Sequence, residues 1–234
     1  MKVSTGYSYC RELSFSRYIS NNRGINIKIA YKLTDSGMRT YYEFQWELGK
    51  WYETTGEGEL CSPGWLHFYS DPLVGMFMNP AHANIKNPRL FRAEVEGKGL
   101  NDHGTNCGYS RAKLVEELPL PQISSVQWIR FAILCAKEVY KGKKWNKWAD
   151  NWLSGKDRTI NTVWSIKYNF CITHTLSPAE IAFYAAESAE SAASAESTFS
   201  AAENAASAAE SAVRIATESK EIDLIGIAQK AMEE

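Results

Sequence analysis

Three ring-bearing residues spaced by two are the part of this sequence best suited to hold a ligand. They are Trp65, His67 and Tyr69, in the stretch ELCSPGWLHFYSDP, where they follow a Pro-Gly turn. A β-strand places alternate side chains on one face, so the three rings would share a more open surface if Leu66 and Phe68 point into the core. Aromatic rings can stack on a planar base while an imidazole donates a hydrogen bond to a phosphate or carbonyl. We therefore expect a ligand pocket at this surface.

A positive charge for such a pocket is available in RLFRAEVEG, residues 89–97, which alternates apolar and polar residues and predicts a strand. Arg92 lies on the polar face and can supply charge for an anionic, nucleotide-like ligand. A nearby carboxylate, such as Glu94 or Asp71, would let His67 act as a general base, although one histidine is weak evidence for catalysis. In an alternative interpretation, the rings only cover the flank of the sheet and His67 bonds to a backbone carbonyl.

A second group of rings and cations lies in KGKKWNKWADNW. Such residues can bind single-stranded nucleic acid through stacking and charge. However, Trp145, Trp148 and Trp152 are spaced by three and four and form one stripe on a helix. A stripe of this kind is more typical of a buried face from which lysines reach water, so we favour core packing. The lysines concerned are Lys141, Lys143, Lys144 and Lys147.

Other kinds of chemistry have little support in the sequence. The five cysteines are scattered and form no C-x-x-C pair, so neither a disulfide framework nor a zinc site is indicated. The four histidines form no H-E-x-x-H motif. The glycines between residues 97 and 108 lack the spacing of a phosphate-binding loop. We predict no catalytic residues, no metal site and no cofactor.

The elements that must position these residues are those of an α+β protein. Alternating and aromatic-rich segments in the first half of the chain predict a small, twisted, mostly antiparallel sheet. Ser124 and Gln127 form a capping box that opens an amphipathic helix, and another helix begins near Lys143. The sheet is thus flanked by helices and followed by a long alanine-rich helical extension. We expect a loosely held arm at residues 1–25, the α+β body at 26–176 and the tail at 177–234.

The tail is set apart by its composition. No glycine or proline occurs between Pro178 and Gly226, and alanine dominates, which favours helix. Mostly small residues recur there at alternating steps of four and three, the spacing of a heptad seam. A single helix of about 40 residues would be roughly 60 Å long, so it must pack on the body, fold back, or pair between chains. The seam consists of Ala185, Ser188, Ala192, Ala195, Phe199, Ala202, Ala206, Ala209, Val213 and Ala216.

The net charge of −1 is the sum of an acidic and a basic part of the chain. From Ala179 onward, eleven acidic residues accompany three basic ones, so this part carries −8 and the rest of the chain +7. A basic body can attract an anion such as a nucleotide, or it can attract its own tail. Because there is no run of about 18 apolar residues and no apolar leader, we expect a cytoplasmic protein without membrane association.

Several motifs together resemble an uncharacterised family of tailed-bacteriophage proteins. They are ELCSPGWLHFYSDPL, RLFRAEVEG, ELPLP before a helix, and WADNWLSGKDR before an alanine-rich tail. The resemblance covers residues 30–158 and, by composition, the tail. The Leu-Cys-x-x-Gly-Trp-Leu-His core of such proteins, with the Asp-Pro after it, matches at Leu60, Cys61, Gly64, Trp65, His67, Asp71 and Pro72.

This resemblance implies a small α+β domain joined to runs of alanine-rich repeats, a phage origin, and no established catalytic residues. Two features depart from the family pattern. The tail carries serine and glutamate where such repeats carry tyrosine or aspartate, and residues 159–176 look inserted.

Three functional hypotheses follow. The leading one is a non-enzymatic phage accessory protein in the host cytoplasm, which counters host defence by binding an anionic nucleotide-like ligand or a host factor at Trp65, His67, Tyr69 and Arg92. The second is an NAD-using enzyme, because the order of turn, strand, Asp-Pro helix and acidic strand resembles ADP-ribosyltransferase-like folds, although the usual His, Tyr and Glu cannot be assigned. The third is a structural protein that forms homo-oligomers through the alanine-rich helix. Nucleic acid is the less favoured partner.

Overall fold

A computed structural model describes residues 27–167, 177–193, 198–216 and 222–233, and shows an α+β fold, as the sequence predicts. The arm predicted at residues 1–25 lies outside the described residues. The strands are β1 (Lys28–Thr34), β2 (Arg39–Thr40), β3 (Phe44–Gln45), β4 (Tyr52–Glu53), β5 (Leu66–Phe68), β6 (Arg89–Asp102) and β7 (Asn106–Leu118). The helices are α1 (Pro72–His82), α2 (Ser125–Val139), α3 (Lys143–Leu153), α4 (Ile160–Lys167), α5 (Pro178–Ala193), α6 (Thr198–Ala216) and α7 (Leu224–Met232). Within these ranges, no helix combines the length and the hydrophobicity needed to cross a membrane.

The centre of the sheet is the antiparallel pair β6 and β7, joined by a turn in which His103 and Gly104 have positive φ. β1 pairs with β6, while β4 and β5 pair with different parts of β7. Tyr31 of β1 and Tyr69, just after β5, exchange two backbone hydrogen bonds of 2.8 Å. This bridge links β5 back to β1, so that backbone pairing runs round β1, β6, β7 and β5.

The inward side of this sheet holds one of two hydrophobic cores. Strand alternation selects its members: on β6, Ala93 and Val95 are fully buried, whereas Arg92 and Glu94 point outward and are partly exposed. Trp46, which follows β3, closes the core with 2% exposure. The remaining buried members are Ala30, Leu66, Phe68, Phe91, Cys107, Ala112 and Leu114.

The second core lies between the helices. α2 starts with the predicted capping box: Gln127 N donates to Ser124 Oγ at 3.3 Å, and Ser124 N donates to Gln127 Oε1 at 2.8 Å. Phe131 of α2 is fully buried there together with Ile181 of α5 and Ala209 of α6. The predicted tail therefore shares a core with the body, and residue 177 does not separate two cores.

Of the three helices described in the tail, α5 and α6 fold back on each other. Ser188 Oγ on α5 donates to the carbonyl of Ala201 on α6 at 2.8 Å, although 13 residues separate them. In one straight helix those residues would lie about 20 Å apart, so the single long helix is excluded. α6 packs against α1, α2 and α5. The described seam residues are all buried: Ala185, Ser188, Ala202, Ala206, Ala209, Val213 and Ala216.

Two segments differ from what the sequence indicates. Asp71 followed by Pro72 predicts a helix start, and the helix through LVGMFM is expected to end before Pro80. In the structure, α1 continues to His82. Pro80 lies in the last turn, where only one intrahelical bond is lost, and the side chain of Asn79 bonds both backbone groups of Ile85 to close the end. The ambiguous segment beginning TVWSIKY, for which the sequence allows a strand, starts as the helix α4.

Candidate functional site

The three predicted ring residues lie together at β5, where Trp65 and Tyr69 are buried and His67 is partly buried. Leu66 and Phe68 face the sheet core as expected, with 7% and 1% exposure. Trp65 and Tyr69, on the other face, are only 7% and 6% exposed. The prediction that this ring surface is open is therefore wrong for Trp65 and Tyr69. Ligand binding by these residues stays a prediction.

Packing on the second face explains this cover. Trp65 packs against the backbone of β7. The approach is so close that a Cβ added at Gly108 would lie 3.0 Å from the Cβ of Trp65. Tyr69 lies on α1 in the same way, because a Cβ at Gly75 would fall 2.9 Å from the tyrosine ring. The two-residue period of a strand predicts which side chains share a face. It does not predict that α1 and β7 cover that face.

His67 is held by the backbone of the loop before β5. Its Nε2–H donates to the carbonyl of Leu60, which is the kind of bond expected if the rings only pack against the sheet. Burial lowers the pKa of His67 and the ammonium of Lys32 lowers it further, while the bond to Leu60 opposes both. The imidazole is thus neutral near pH 7.

Arg92 belongs to a different surface. Its Nε donates to Glu116 Oε1 at 2.6 Å, and the neighbouring Glu94 pairs with Lys113 Nζ at 2.8 Å. β6, which carries Arg92, and β5 pair with β7 from opposite sides, so the two strands are not neighbours. The structure brings Trp65, His67 and Tyr69 together, whereas Arg92 joins a row of ion pairs on the outer face of the sheet.

A partly buried lysine that sequence reasoning missed lies beside these rings. Lys32 Nζ donates to the carbonyl of His67 at 2.5 Å, and it lies 5.2 Å from the ring centroid of Phe68 and 5.5 Å from that of Trp46. Burial lowers the pKa of Lys32 to about 8. Burial also raises the pKa of Cys107 to about 12, so this thiol is neutral near pH 7. The signal available in INIKIAYK was that Lys32 shares a strand face with Ala30.

His82, at the end of α1, is a second residue that the sequence reasoning did not place here. Its ring stacks on Tyr69 with centroids 6.0 Å apart and an interplanar angle of 4°. Burial lowers the pKa of His82 to about 4, so the ring is neutral. His82 Nδ1 and Asn106 Oδ1 are buried and have no hydrogen-bond partner in the described structure. Such atoms are uncommon, and they can accept or donate a bond to a buried water.

The tryptophans of the second sequence motif are buried, as the preferred interpretation predicts. Trp145, Trp148 and Trp152 are 2%, 5% and 2% exposed and belong to the helical core. The lysines of the motif stay at the surface, around a depression of about 510 Å³. This lysine-lined depression is formed by Lys141, Lys143, Asn146, Lys147, Asp150 and Asn151.

Positive charge in the lysine-lined depression is only partly neutralised. Asp150 forms an ion pair with Lys137, outside the lining. Among the described residues, no carboxylate pairs with Lys143 or Lys147. Asn146 donates through Nδ2 to the carbonyls of Tyr140 and Gly142, which leaves its Oδ1 as an acceptor. The arrangement is suited to a polar anion that also offers a hydrogen-bond donor.

One protein-family model matches part of the chain, and that family has no assigned function. Residues 28–126 match the model of a family described as Domain of unknown function (DUF7666). The match spans all strands and α1, and ends just inside α2, so the lysine-lined depression lies beyond it. No curated protein and no solved structure matches the chain. In the described ranges, no group of three His, Cys, Asp or Glu residues is arranged to hold a metal ion.

Proposed function

We propose that the protein is a non-enzymatic binding protein and that the lysine-lined depression takes an anionic, nucleotide-like ligand. The main support is that Lys143 and Lys147 line an open depression without carboxylate partners among the described residues. Ammonium groups bind phosphate oxygens through charge-assisted hydrogen bonds. The free Oδ1 of Asn146 can accept a bond from a ribose hydroxyl or a base amino group.

Size and polarity narrow the ligand class. The depression has a volume of about 510 Å³ and is open to solvent, so it has room for a small molecule without enclosing it. The lining consists of lysines, asparagines and one aspartate, so it offers charge and hydrogen bonds to a polar ligand. A nucleotide or another phosphorylated metabolite fits this lining, as does an acidic segment of a host protein.

The biological setting of the proposal comes from the resemblance to tailed-phage proteins. In that setting, the protein is an accessory protein in the cytoplasm of the infected host, and it blunts a host defence by sequestering its ligand or by binding a host factor. The basic charge of +7 before Ala179 supports attraction of anions in general.

Titration calorimetry with ATP and with pyrophosphate tests the proposal. The double variant Lys143→Gln/Lys147→Gln should weaken ATP binding at least about tenfold, because two charge-assisted contacts are lost. Lys28→Gln/Lys86→Gln is the matched control, since it removes the same charge from two exposed lysines elsewhere. If both double variants weaken ATP binding equally, the effect comes from the net charge of the protein, and the proposed site is refuted.

The same titration separates the depression from the ring residues at β5. Trp65→Ala and His67→Ala should leave the ATP affinity within about twofold of wild type, provided that circular dichroism shows a native fold. Loss of binding in these folded variants, with the lysine variants unaffected, would move the site back to Trp65, His67 and Tyr69.

A further inference from the structure

The hairpin formed by β2 and β3 displays aromatic side chains to solvent. Tyr41 and Tyr42 at its tip are 79% and 85% exposed, and their ring centroids are 4.1 Å apart. Phe44 and Leu48, in the same segment of the chain, are 38% and 56% exposed. We refer to Tyr41, Tyr42, Phe44 and Leu48 as the aromatic tip. Single exposed apolar residues are ordinary, but four within one short segment are typical of an interaction site.

The backbone of the aromatic tip is strained. Tyr42 has φ 55 and ψ 36, and Glu43 has φ 57, so two successive residues lie in the left-handed region. Glycine or asparagine adopts this conformation easily, whereas tyrosine and glutamate rarely do. Residues held in such conformations cluster at binding sites and other functional positions. The strain therefore supports a role for the tyrosine side chain that glycine could not fill.

Hydrogen bonds at the base of the hairpin hold this conformation. The Asp35 carboxylate accepts bonds from the backbone N–H groups of Gly37 and Arg39, at 2.8 and 2.7 Å. The guanidinium of Arg39 bridges Asp35 and Glu43. A preordered surface loses little conformational entropy on binding, which favours affinity.

The aromatic tip is also fixed to the core of the sheet. Phe44 packs edge-to-face on Trp46 at 5.1 Å and on Tyr52 at 5.2 Å. Trp46 in turn packs on the buried Phe68 at 5.9 Å, and its Nε1–H donates to Thr40 Oγ1 at 3.1 Å. Tyrosines on a rigid mount provide a large contact area at low entropic cost.

Charge indicates the kind of partner. Asp35 and Glu43 share the single guanidinium of Arg39, which leaves one excess negative charge beside Tyr42, although the chain before Ala179 is basic overall. The other carboxylates of the segment are paired: Glu47 with Lys50 and Glu53 with Arg111. A twofold dimer through the aromatic tip would bring two acidic surfaces together, which argues against a second copy. Exposed tyrosine rings and nearby carboxylates both attract arginine and lysine. We propose that the aromatic tip binds a protein partner that presents cationic side chains, with arginine stacked on Tyr41 and Tyr42.

Fluorescence anisotropy with two labelled probes tests this inference. The first probe is a short peptide of alternating arginine and leucine, and the second is the same peptide with glutamate in place of arginine. We expect the wild-type protein to bind the first probe at least about tenfold more tightly than the second. Equal binding of the two peptides, or no binding of either, would overturn the cationic partner.

Variants then assign the binding to the aromatic tip. Tyr41→Ser/Tyr42→Ser should weaken binding of the arginine peptide at least about tenfold, whereas Ile29→Ser, which changes a residue 45% exposed elsewhere on the sheet, should not. Tyr42→Gly relieves the strained φ, so it should weaken binding without lowering Tm. Unchanged binding in the tyrosine variants would refute the site. A wild-type dimer that becomes monomeric in the double tyrosine variant would instead identify a second copy as the occupant.

Discussion

His82 is a titratable ring that packs on Tyr69 with its Nδ1 atom buried, and its protonation is therefore linked to folding. The imidazole stacks on Tyr69, and burial lowers its pKa from 6.5 to about 4, against the opposing charge of Asp102. Between these two values, the unfolded imidazole binds a proton that the folded one excludes. The stability that depends on neutral His82 is thus complete above pH 6.5 and declines as the pH falls towards 4.

Urea unfolding at pH 7 and at pH 4 measures this linkage. We expect His82 to account for a loss of up to about 3 kcal/mol in the free energy of unfolding, because each pKa unit corresponds to about 1.4 kcal/mol. His82→Phe preserves a ring against Tyr69 but cannot take up the proton, so this variant should lose correspondingly less. If both proteins lose the same free energy, His82 is not the group responsible.

Individual residues also show what the sequence could and could not indicate about the site. The spacing of Trp65, His67 and Tyr69 correctly places Leu66 and Phe68 in the core. It does not indicate the cover on the second face, because that cover comes from α1 and from the long pairing of β7. Side-chain periodicity describes one element, whereas exposure depends on the elements packed against it.

At the scale of elements, α6 depends on alanine for close contact with its neighbours. It packs against α1, α2 and α5, and Ala205, Ala208 and Ala212 are fully buried along it. Alanine side chains let several helices approach one central helix. A larger side chain at these positions has no space without displacement of a neighbouring helix.

Ala205→Leu should therefore destabilise the protein by about 1–3 kcal/mol through overpacking. Arg214→Leu is the control, because Arg214 lies on the exposed side of the same helix and its replacement should cost less than about 1 kcal/mol. Thermal or urea unfolding of both variants provides the measurement. A larger loss in Arg214→Leu than in Ala205→Leu would contradict the packing described for α6.

Elements with a strong local signal are predictable from the sequence, and those fixed by distant contacts are not. The capping box at Ser124 gives the start of α2, and the alternation in residues 89–97 gives the first part of β6. In β1, hydrophobicity does not indicate which face is buried. The apolar Ile29 is 45% exposed, whereas the side chain of Lys32 extends towards the rings of Trp46 and Phe68. The rings of Trp46 and Phe68 and the carbonyl of His67, all from remote segments, stabilise the lysine at that position.

At the scale of the whole molecule, the alanine-rich tail completes the helical core. Trp145 Nε1–H donates to the carbonyl of Ala182 at 3.0 Å, and Ile181 is fully buried in the same core as Phe131. Without the tail, these side chains and the facing surfaces of α1 and α2 would be exposed to water. The opposite charges of tail and body, −8 and +7, add a general attraction.

A chain that ends after Thr175 should consequently lose cooperative unfolding and bind the dye ANS, as expected when a core is exposed. A chain that ends after Met232 serves as the control and should behave like the full sequence. Calorimetry and ANS fluorescence make the comparison. A native, cooperative transition in the shorter chain would show that the body is stable by itself and that the tail only docks on it.

The bridge between Tyr31 and Tyr69 restricts how other chains can associate with the sheet. β1 already pairs with β6 on one side, and at Tyr31 the bridge occupies its other side. β4, at the end of the sheet order, has two residues and offers too short a template for a foreign strand. Augmentation by an added strand, a common route to both peptide capture and aggregation, is thus disfavoured along these strands.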